Sequence, residues 1–357
     1  VAGAPGARAV DEITTQEYVG PLGVDKEIAA GFTGKGIKIG VIEGPADTNV
    51  PELQGADVTV KPMCSFTQSD EGRSHTTAVL SILAARAYGV ARGAEIINYA
   101  IPTEKSTDEG ADCKGIGLKD AINAALTDGV RVISISLAGG RTTDEEREAI
   151  AGAIARGVVV VVGTGNDGAE DPADSLASVN GTVGVGASDS NGNMQNFSNY
   201  GKGLTVLAPG NKLVMHLFPS GKLVNAWGTS YATPIVAGFV AVTMQRWPEA
   251  TGNQVVQSLV KTASKSSSGQ PLINPNGLDT TDPARFPDEN PLLDKFPGTE
   301  PSAQTVADYR DGVLGTESVF GTDSSYVYRG VDAQVALAHP DRSALGTSPR
   351  YHKKKDQ

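Results

Sequence analysis

Residues 158–168 read VVVVVGTGNDG. A strand with one wet face alternates apolar and polar residues, and this one does not. An unbroken apolar run short enough to be a strand is what a parallel sheet covered on both faces requires. The run then breaks into glycines and a polar loop at Asn166. Similar short runs lie to either side: 37–42 (IKIGVI), 95–101 (EIINYAI), 130–137 (VRVISISL), 182–187 (TVGVGA) and 204–208 (LTVLA). Between them fall helical patterns at 75–87, 116–128, 143–156, 231–246 and 252–263. Ile116, Ala121, Ile122, Ala125 and Leu126 recur at helical spacing, and Thr142 or Thr143 ahead of DEERE reads as an N-cap with an acidic first turn. Strand–helix–strand order predicts an α/β fold: a doubly wound, mainly parallel sheet flanked by helices.

The bulk composition narrows the function. A chain of 357 residues accommodates one large domain or two ordinary ones, and 5% aromatic content makes the core mostly aliphatic. A net charge of −11 disfavours nucleic acid and anionic membranes as partners. No segment approaches the roughly 18 apolar residues of a membrane span. Cys64 and Cys113 admit a disulfide without requiring one, and two cysteines alone argue against a structural zinc site of the four-ligand kind. Beyond Ala263 the composition turns to Ser, Pro, Gly, Asp and Asn, over a length that fits either disorder or an ordered arm. Apolar periodicity returns at 331–338 (VDAQVALA).

Four places carry the chemistry. The strand KIGVI stops on Glu43, either because a polar strand end reaches water or because a carboxylate there orients a base at the carboxyl edge of the sheet. His75 opens the apolar helical run GRSHTTAVLSILAA, as a structural histidine or a base. In NAWGTSYATPIVAGFVAV (225–242), Gly228 permits a tight turn. Pro234 is expected in a helix's first turn, which puts the helix start close behind Ser230. Thr229 or Ser230 either caps that helix, or Ser230 is a nucleophile facing its free N–H groups. Asn166 is a turn residue or an amide donor to an oxyanion, a group whose removal costs about 3–4 kcal/mol.

These segments together resemble the subtilisin-like serine peptidases. That family shows motifs close to VIDTG, HGTHVAG, SLGG, AAGN and GTSMATPHVAG. Here VIEGP (41–45), HTTAVLS (75–81), SLAGG (136–140), GTGN (163–166) and GTSYATPIVAG (228–238) occur in the same order. The resemblance implies a catalytic core over 21–264, with an arm at 1–20. After the core come an insert at 265–325 packed on it or extending from it, a segment at 326–345 rejoining it, and a solvated tail at 346–357. It also implies roles: Ser230 as nucleophile, His75 as base and then acid, and Asn166 with the Ser230 amide as the oxyanion hole. Ser136, Leu137, Ala138 and Gly139 would pair with substrate backbone, and Gly163, Thr164 and Gly165 would wall the main specificity pocket. Cys64 would lie ahead of the histidine loop and Cys113 near the outer cleft, so a disulfide between them would tie a cleft edge to the core.

Several positions depart from the pattern. Glu43 stands where the family has Asp, one methylene longer but still able to accept the Nδ1–H of His75. Asp47 is a competitor for that role, while Asp70 and Glu71 read as surface-loop residues. Thr76 replaces a glycine beside the base, and Ala78 a noncatalytic histidine. Only RAY (86–88) separates ILAA from GVARGAEI, so the calcium-binding loop usual in subtilisins is not expected. No cofactor is required. Asp167 at the pocket rim either favours a basic or polar residue before the scissile bond or is a solvated loop carboxylate.

The expected activity is serine endopeptidase action on a peptide or protein through a Ser/His/Glu triad. A specialised peptide-processing protease or transamidase, and an inactive peptide-binding homologue, remain open, as does the oligomeric state. A chain starting at Val1 is read as one whose leading segment has been removed, hence a secreted or exported enzyme, with a cytoplasmic processing enzyme as the alternative.

Overall fold

The valine run becomes the middle of a sheet. The computed structural model describes residues 11–137 and 140–310, with the backbone of 326–328 and 351–353. Along the chain come α1 (Val24–Ala29), β1 (Lys38–Glu43), β2 (Val58–Pro62), β3 (Thr67–Gln68), α2 (Asp70–Ala84), β4 (Glu95–Ala100), β5 (Ser106–Thr107) and α3 (Leu118–Thr127). Next are β6 (Val132–Ile135), α4 (Asp144–Ala155), β7 (Val159–Gly163), β8 (Val183–Ser188), β9 (Val206–Pro209), β10 (Leu213–Leu217), β11 (Lys222–Ala226), α5 (Thr229–Arg246) and α6 (Gly252–Thr262). The described core closes with β12 (Ser264–Lys265), β13 (Pro271–Leu272), α7 (Pro275–Thr280) and α8 (Ala303–Arg310).

Nine of the described strands form one sheet in the order β12-β13-β9-β8-β7-β6-β1-β4-β2. Every neighbouring pair is parallel except β12 with β13. Within β7, Val159 and Val161 join the core formed with α2, α5 and α6, whereas Val160 and Val162 join the one formed with α3 and α4. Both faces are therefore apolar, which is why the run does not alternate. Each fully buried valine stabilises the fold by roughly 1.5–3 kcal/mol.

Strand β1 lies between β6 and β4, with Ile39 opposite both Val132 and Ile96. From β1 the chain builds outward to β4 and β2; from β6 it builds the other way to β7, β8 and β9. The strand order thus reverses between β1 and β6, and the crevice at such a reversal is where open parallel sheets bind ligands. Glu43 ends β1 there, and Ser136 follows β6.

Three expectations need correction. α2 begins at Asp70 rather than at His75, because Ser69 caps it by accepting from the Gly72 amide at 3.1 Å. Asp70 and Glu71 therefore occupy the first helical turn, where carboxylates complement the dipole, not a surface loop. Pro234 lies inside α5, beyond its first turn, since the helix already begins at Thr229. The cap at Thr143 does form, with Glu146 reaching back to the Thr143 amide at 2.8 Å.

Within the described residues the polar stretch after Ala263 packs on the core. Leu272 pairs with Leu207 at the sheet edge, and Val306 and Tyr309 of α8 join the core of α3 and α4. The remainder of 265–325 and the apolar segment 331–338 lie outside the described residues. Tyr326–Tyr328 and Tyr351–Lys353 pair as an antiparallel ribbon, so 351–353 is strand where a solvated tail is expected.

Candidate active site

Glu43 is only 1% exposed, and its backbone is fixed on one side by the Ile101 amide at 2.9 Å. Its Oε2 lies 3.6 Å from Nδ1 of His75, an ion-pair distance just beyond hydrogen-bond range, and its buried Oε1 has no hydrogen-bond partner. Asp47 instead turns to Asn49, accepting its backbone and side-chain amides at 3.0 Å. His75 projects from α2 with 14% of its side chain exposed, its ring 5.5 Å from that of Tyr231. Burial, and then the nearby Glu43 and Glu71 carboxylates, push the Tyr231 hydroxyl well above its usual range, so it stays protonated.

The nucleophile candidate is held from behind. Gly228 takes φ 149°, a conformation side-chain-bearing residues rarely adopt, and turns β11 into α5. Ser230 sits in the first turn of α5, where backbone N–H groups have no intrahelical acceptor. Pro234 has no N–H to give the carbonyl four residues earlier, which is that of Ser230. The missing bond is supplied from the neighbouring strand end: Ser136 Oγ donates to the Ser230 carbonyl at 2.8 Å, fully inside the protein.

Asn166 is oriented by the same turn. Its Oδ1 accepts from the Thr229 amide at 2.8 Å, which leaves the Nδ2 donors for the cleft. The Gly165 amide donates to Thr229 Oγ1 at 3.2 Å.

Glu43, His75, Ser136, Leu137, Asn166 and Ser230, drawn from five separate elements and loops, line one cleft of about 120 Å³. Gly163, Thr164 and Gly165 are buried behind it: a Cβ on Gly163 would stand 3.2 Å from Thr229 Oγ1, and Thr164 Oγ1 donates to the Val185 and Asn199 carbonyls at 3.3 Å. Ala138 and Gly139 lie outside the described residues. Asp167 is exposed, with Oδ2 accepting from the Asn199 amide group at 3.3 Å.

Four further cleft residues escape sequence reasoning: Gln68, Thr103, Glu104 and Lys105. They belong to a ribbon in which β3 and β5 pair antiparallel over only two residues each, too short to show a period. The cysteines are the one signal that points there. Cys64 and Cys113 are disulfide-bonded across 49 residues and bracket this ribbon. Lys105 pairs with Glu71 of α2 at 3.2 Å.

A carboxylate, an imidazole and a hydroxyl lining one cleft at the switch point of a parallel sheet are the groups a serine hydrolase site requires. The sequence profile of the Subtilase family matches residues 34–286, and the chain belongs to that family of serine endopeptidases. Subtilisin DY of Bacillus licheniformis is 32% identical over 266 residues, covering 70% of this chain and 93% of its own length. Subtilisin BL of Lederbergia lenta is 31% identical over 259 residues, with 68% and 91% covered. Among solved structures, the prenylagaramide maturation protease PagA superposes with a TM-score of 0.62 at 25% identity, over 72% of this chain and 98% of that one.

Proposed function

We propose that the protein hydrolyses internal bonds of a peptide or protein through Ser230, His75 and Glu43. Ser230 Oγ attacks the scissile carbonyl while His75 takes its proton. Asn166 Nδ2 and the Ser230 amide bind the resulting oxyanion. Collapse expels the amine, which leaves with the proton from His75. Water then attacks the acyl-enzyme, its proton passing to His75 and on to Ser230 as the acid departs. Glu43 keeps the Nδ1 proton of His75 in place and stabilises the imidazolium; losing that orientation costs about 10⁴ in rate in the best-known serine-protease case. Apart from water, every group in these steps comes from the chain itself, so we propose no cofactor.

The observation that supports this most is the 3.6 Å approach of Glu43 to His75 in a cleft that also holds Ser230. A fluorophosphonate probe tests it. Wild type should be labelled and Ser230→Ala should not; equal labelling would reject Ser230, and an unlabelled wild type would favour the inactive peptide-binding reading.

A second reading, a peptide-processing protease or transamidase, is supported by the likeness to a maturation protease. A processing protease still resolves the acyl-enzyme with water, whereas in a transamidase an amine does so, and product masses from a defined peptide distinguish the two. The disulfide favours an exported enzyme, because such bonds persist in oxidising compartments.

A further inference from the structure

The unpartnered oxygen of Glu43 is the starting point. A carboxylate 1% exposed, with one oxygen at ion-pair distance from His75 and the other bonded to nothing, is under-held for a group that must fix a tautomer. The group placed to hold it is Gln68, which lines the same cleft from β3. Ser106 Oγ donates to Gln68 Oε1 at 3.0 Å, after itself accepting from the Thr103 amide at 2.8 Å. In this arrangement the Nε2 end of the amide points away from Ser106.

Two missing side chains show where Nε2 goes. A Cβ on Gly44, the residue directly after Glu43, would fall 2.3 Å from Gln68 Nε2. A Cβ on Gly72, in the first turn of the helix that carries His75, would fall 2.0 Å from the same atom. The amide is therefore slotted between the strand end bearing the acid and the helix bearing the base, in space only glycines leave open. Neither glycine has a positive φ, so both are there for room rather than for backbone conformation.

We propose that Gln68 is a positioning residue for the triad: its Nε2 donates to Oε1 of Glu43 as positive charge develops on His75. This rests on the roles of Glu43 and His75 given above. As the cleft stands the two groups are not bonded, and hydrogen bonds at catalytic groups commonly tighten only when substrate fills the site. The charged and titratable groups around them are Asp47 beyond β1, Asp70, Glu71 and Arg73 on α2, Glu104 and Lys105 before β5, and Tyr231 on α5. Arg73 pairs with Asp70 at 3.1 Å and Lys105 with Glu71 at 3.2 Å. All of them remain in the variants below, so their influence cancels in the comparison.

The test measures the pH dependence of fluorophosphonate labelling, alongside thermal unfolding. Gln68→Leu keeps the bulk and removes the donor; labelling should slow about 10- to 100-fold, the usual scale for a supporting partner. Gln68→Glu places a second carboxylate beside His75, favours its protonated form and should move the acid limb up by about 1 pH unit. Because that shift reports only that position 68 faces His75, the role is read from Gln68→Leu: slowed labelling at an unchanged melting temperature marks positioning, whereas a purely structural role would move both together. Gly72→Ala suits a helix and should fold at least as well as wild type, but it displaces the amide and should slow labelling likewise; in a Gln68→Ala background it should cost nothing further. Wild-type rates in Gln68→Leu, or a Gly72→Ala effect undiminished in Gln68→Ala, would overturn the proposal. Labelling that survives Ser230→Ala would instead overturn the triad itself, so the two failures are distinct.

Discussion

Ser136→Ala is the sharpest test of how the nucleophile is held. Its hydroxyl gives the Ser230 carbonyl the hydrogen bond that Pro234 cannot, at 2.8 Å and out of contact with solvent. Removing it leaves a buried carbonyl unpaired, which costs about 1–3 kcal/mol. Pro234→Ala restores an N–H to the helix ladder and removes the ring that crowds that carbonyl. In the Pro234→Ala background the same Ser136→Ala change should therefore cost less than about 1 kcal/mol, the carbonyl now being bonded within the helix. Urea unfolding of the four proteins gives the coupling directly, and it should reach at least about 1 kcal/mol. Labelling kinetics should show that Pro234→Ala slows acylation, because a carbonyl drawn back to the helix axis carries the Ser230 side chain with it. Equal costs for Ser136→Ala in both backgrounds would refute the exchange of one donor for another.

Three other outcomes follow. Glu43→Ala should drop turnover steeply while Glu43→Asp keeps part of it; unchanged kcat in Glu43→Ala would remove Glu43 from the relay. His216, buried on β10, meets Glu52 at 3.0 Å, and although burial opposes its charge, the hydrogen bond and charge of Glu52 raise its pKa above 6.5. Stability from this pair is therefore present below pH 6.5 and lost as pH rises through the raised value. Thermal unfolding from pH 5 to 9 should show that slope in wild type and not in a Glu52→Leu/His216→Leu double variant, whereas His216→Leu alone strands a buried charge and costs about 3–5 kcal/mol. Trp227, 56% exposed and with its ring tilted against that of Phe197, centroids 4.6 Å apart, precedes the turn to Ser230. Trp227→Ala should raise KM for peptides with little change in melting temperature; an unchanged KM would place it outside the substrate surface.

What could be read from the sequence was local. The segment GTSYATPIVAG carries turn, proposed nucleophile and helix start within eleven consecutive positions, 228–238, and each residue constrains its neighbours. The valine run at 158–162 names its own environment for the same reason. Glu52 and His216, by contrast, are separated by 164 residues, and no spacing announces a buried pair. The start of α2 was obscured because DEGRS is polar on every side, so the apolar period begins a turn after the helix does. Pro234 misled for a different reason: the rule that confines proline to a first turn assumes no outside donor, and Ser136 is one. The stretch after Ala263 looks unstructured because its few core anchors, among them Ile273, Leu278, Val306 and Tyr309, are spread among polar residues.

The two sides of the cleft are built to different tolerances. On the side of the proposed nucleophile, Ser230 and Asn166 are each fixed by a 2.8 Å bond to a neighbouring element, so the proposed oxyanion donors are set before substrate arrives. On the acid side, Glu43 and His75 stand 3.6 Å apart, one carboxylate oxygen is idle, and the Gln68 amide that lines the same cleft is carried on a ribbon two residues long. A glutamate has more side-chain torsions to fix than an aspartate before it can orient a base, which fits this looser side. Peptide that docks against Gln68 and Lys105 would press the ribbon toward Glu43. Binding energy gained far from the scissile bond would then order the acid at the moment the base needs it, and contribute to kcat rather than to affinity.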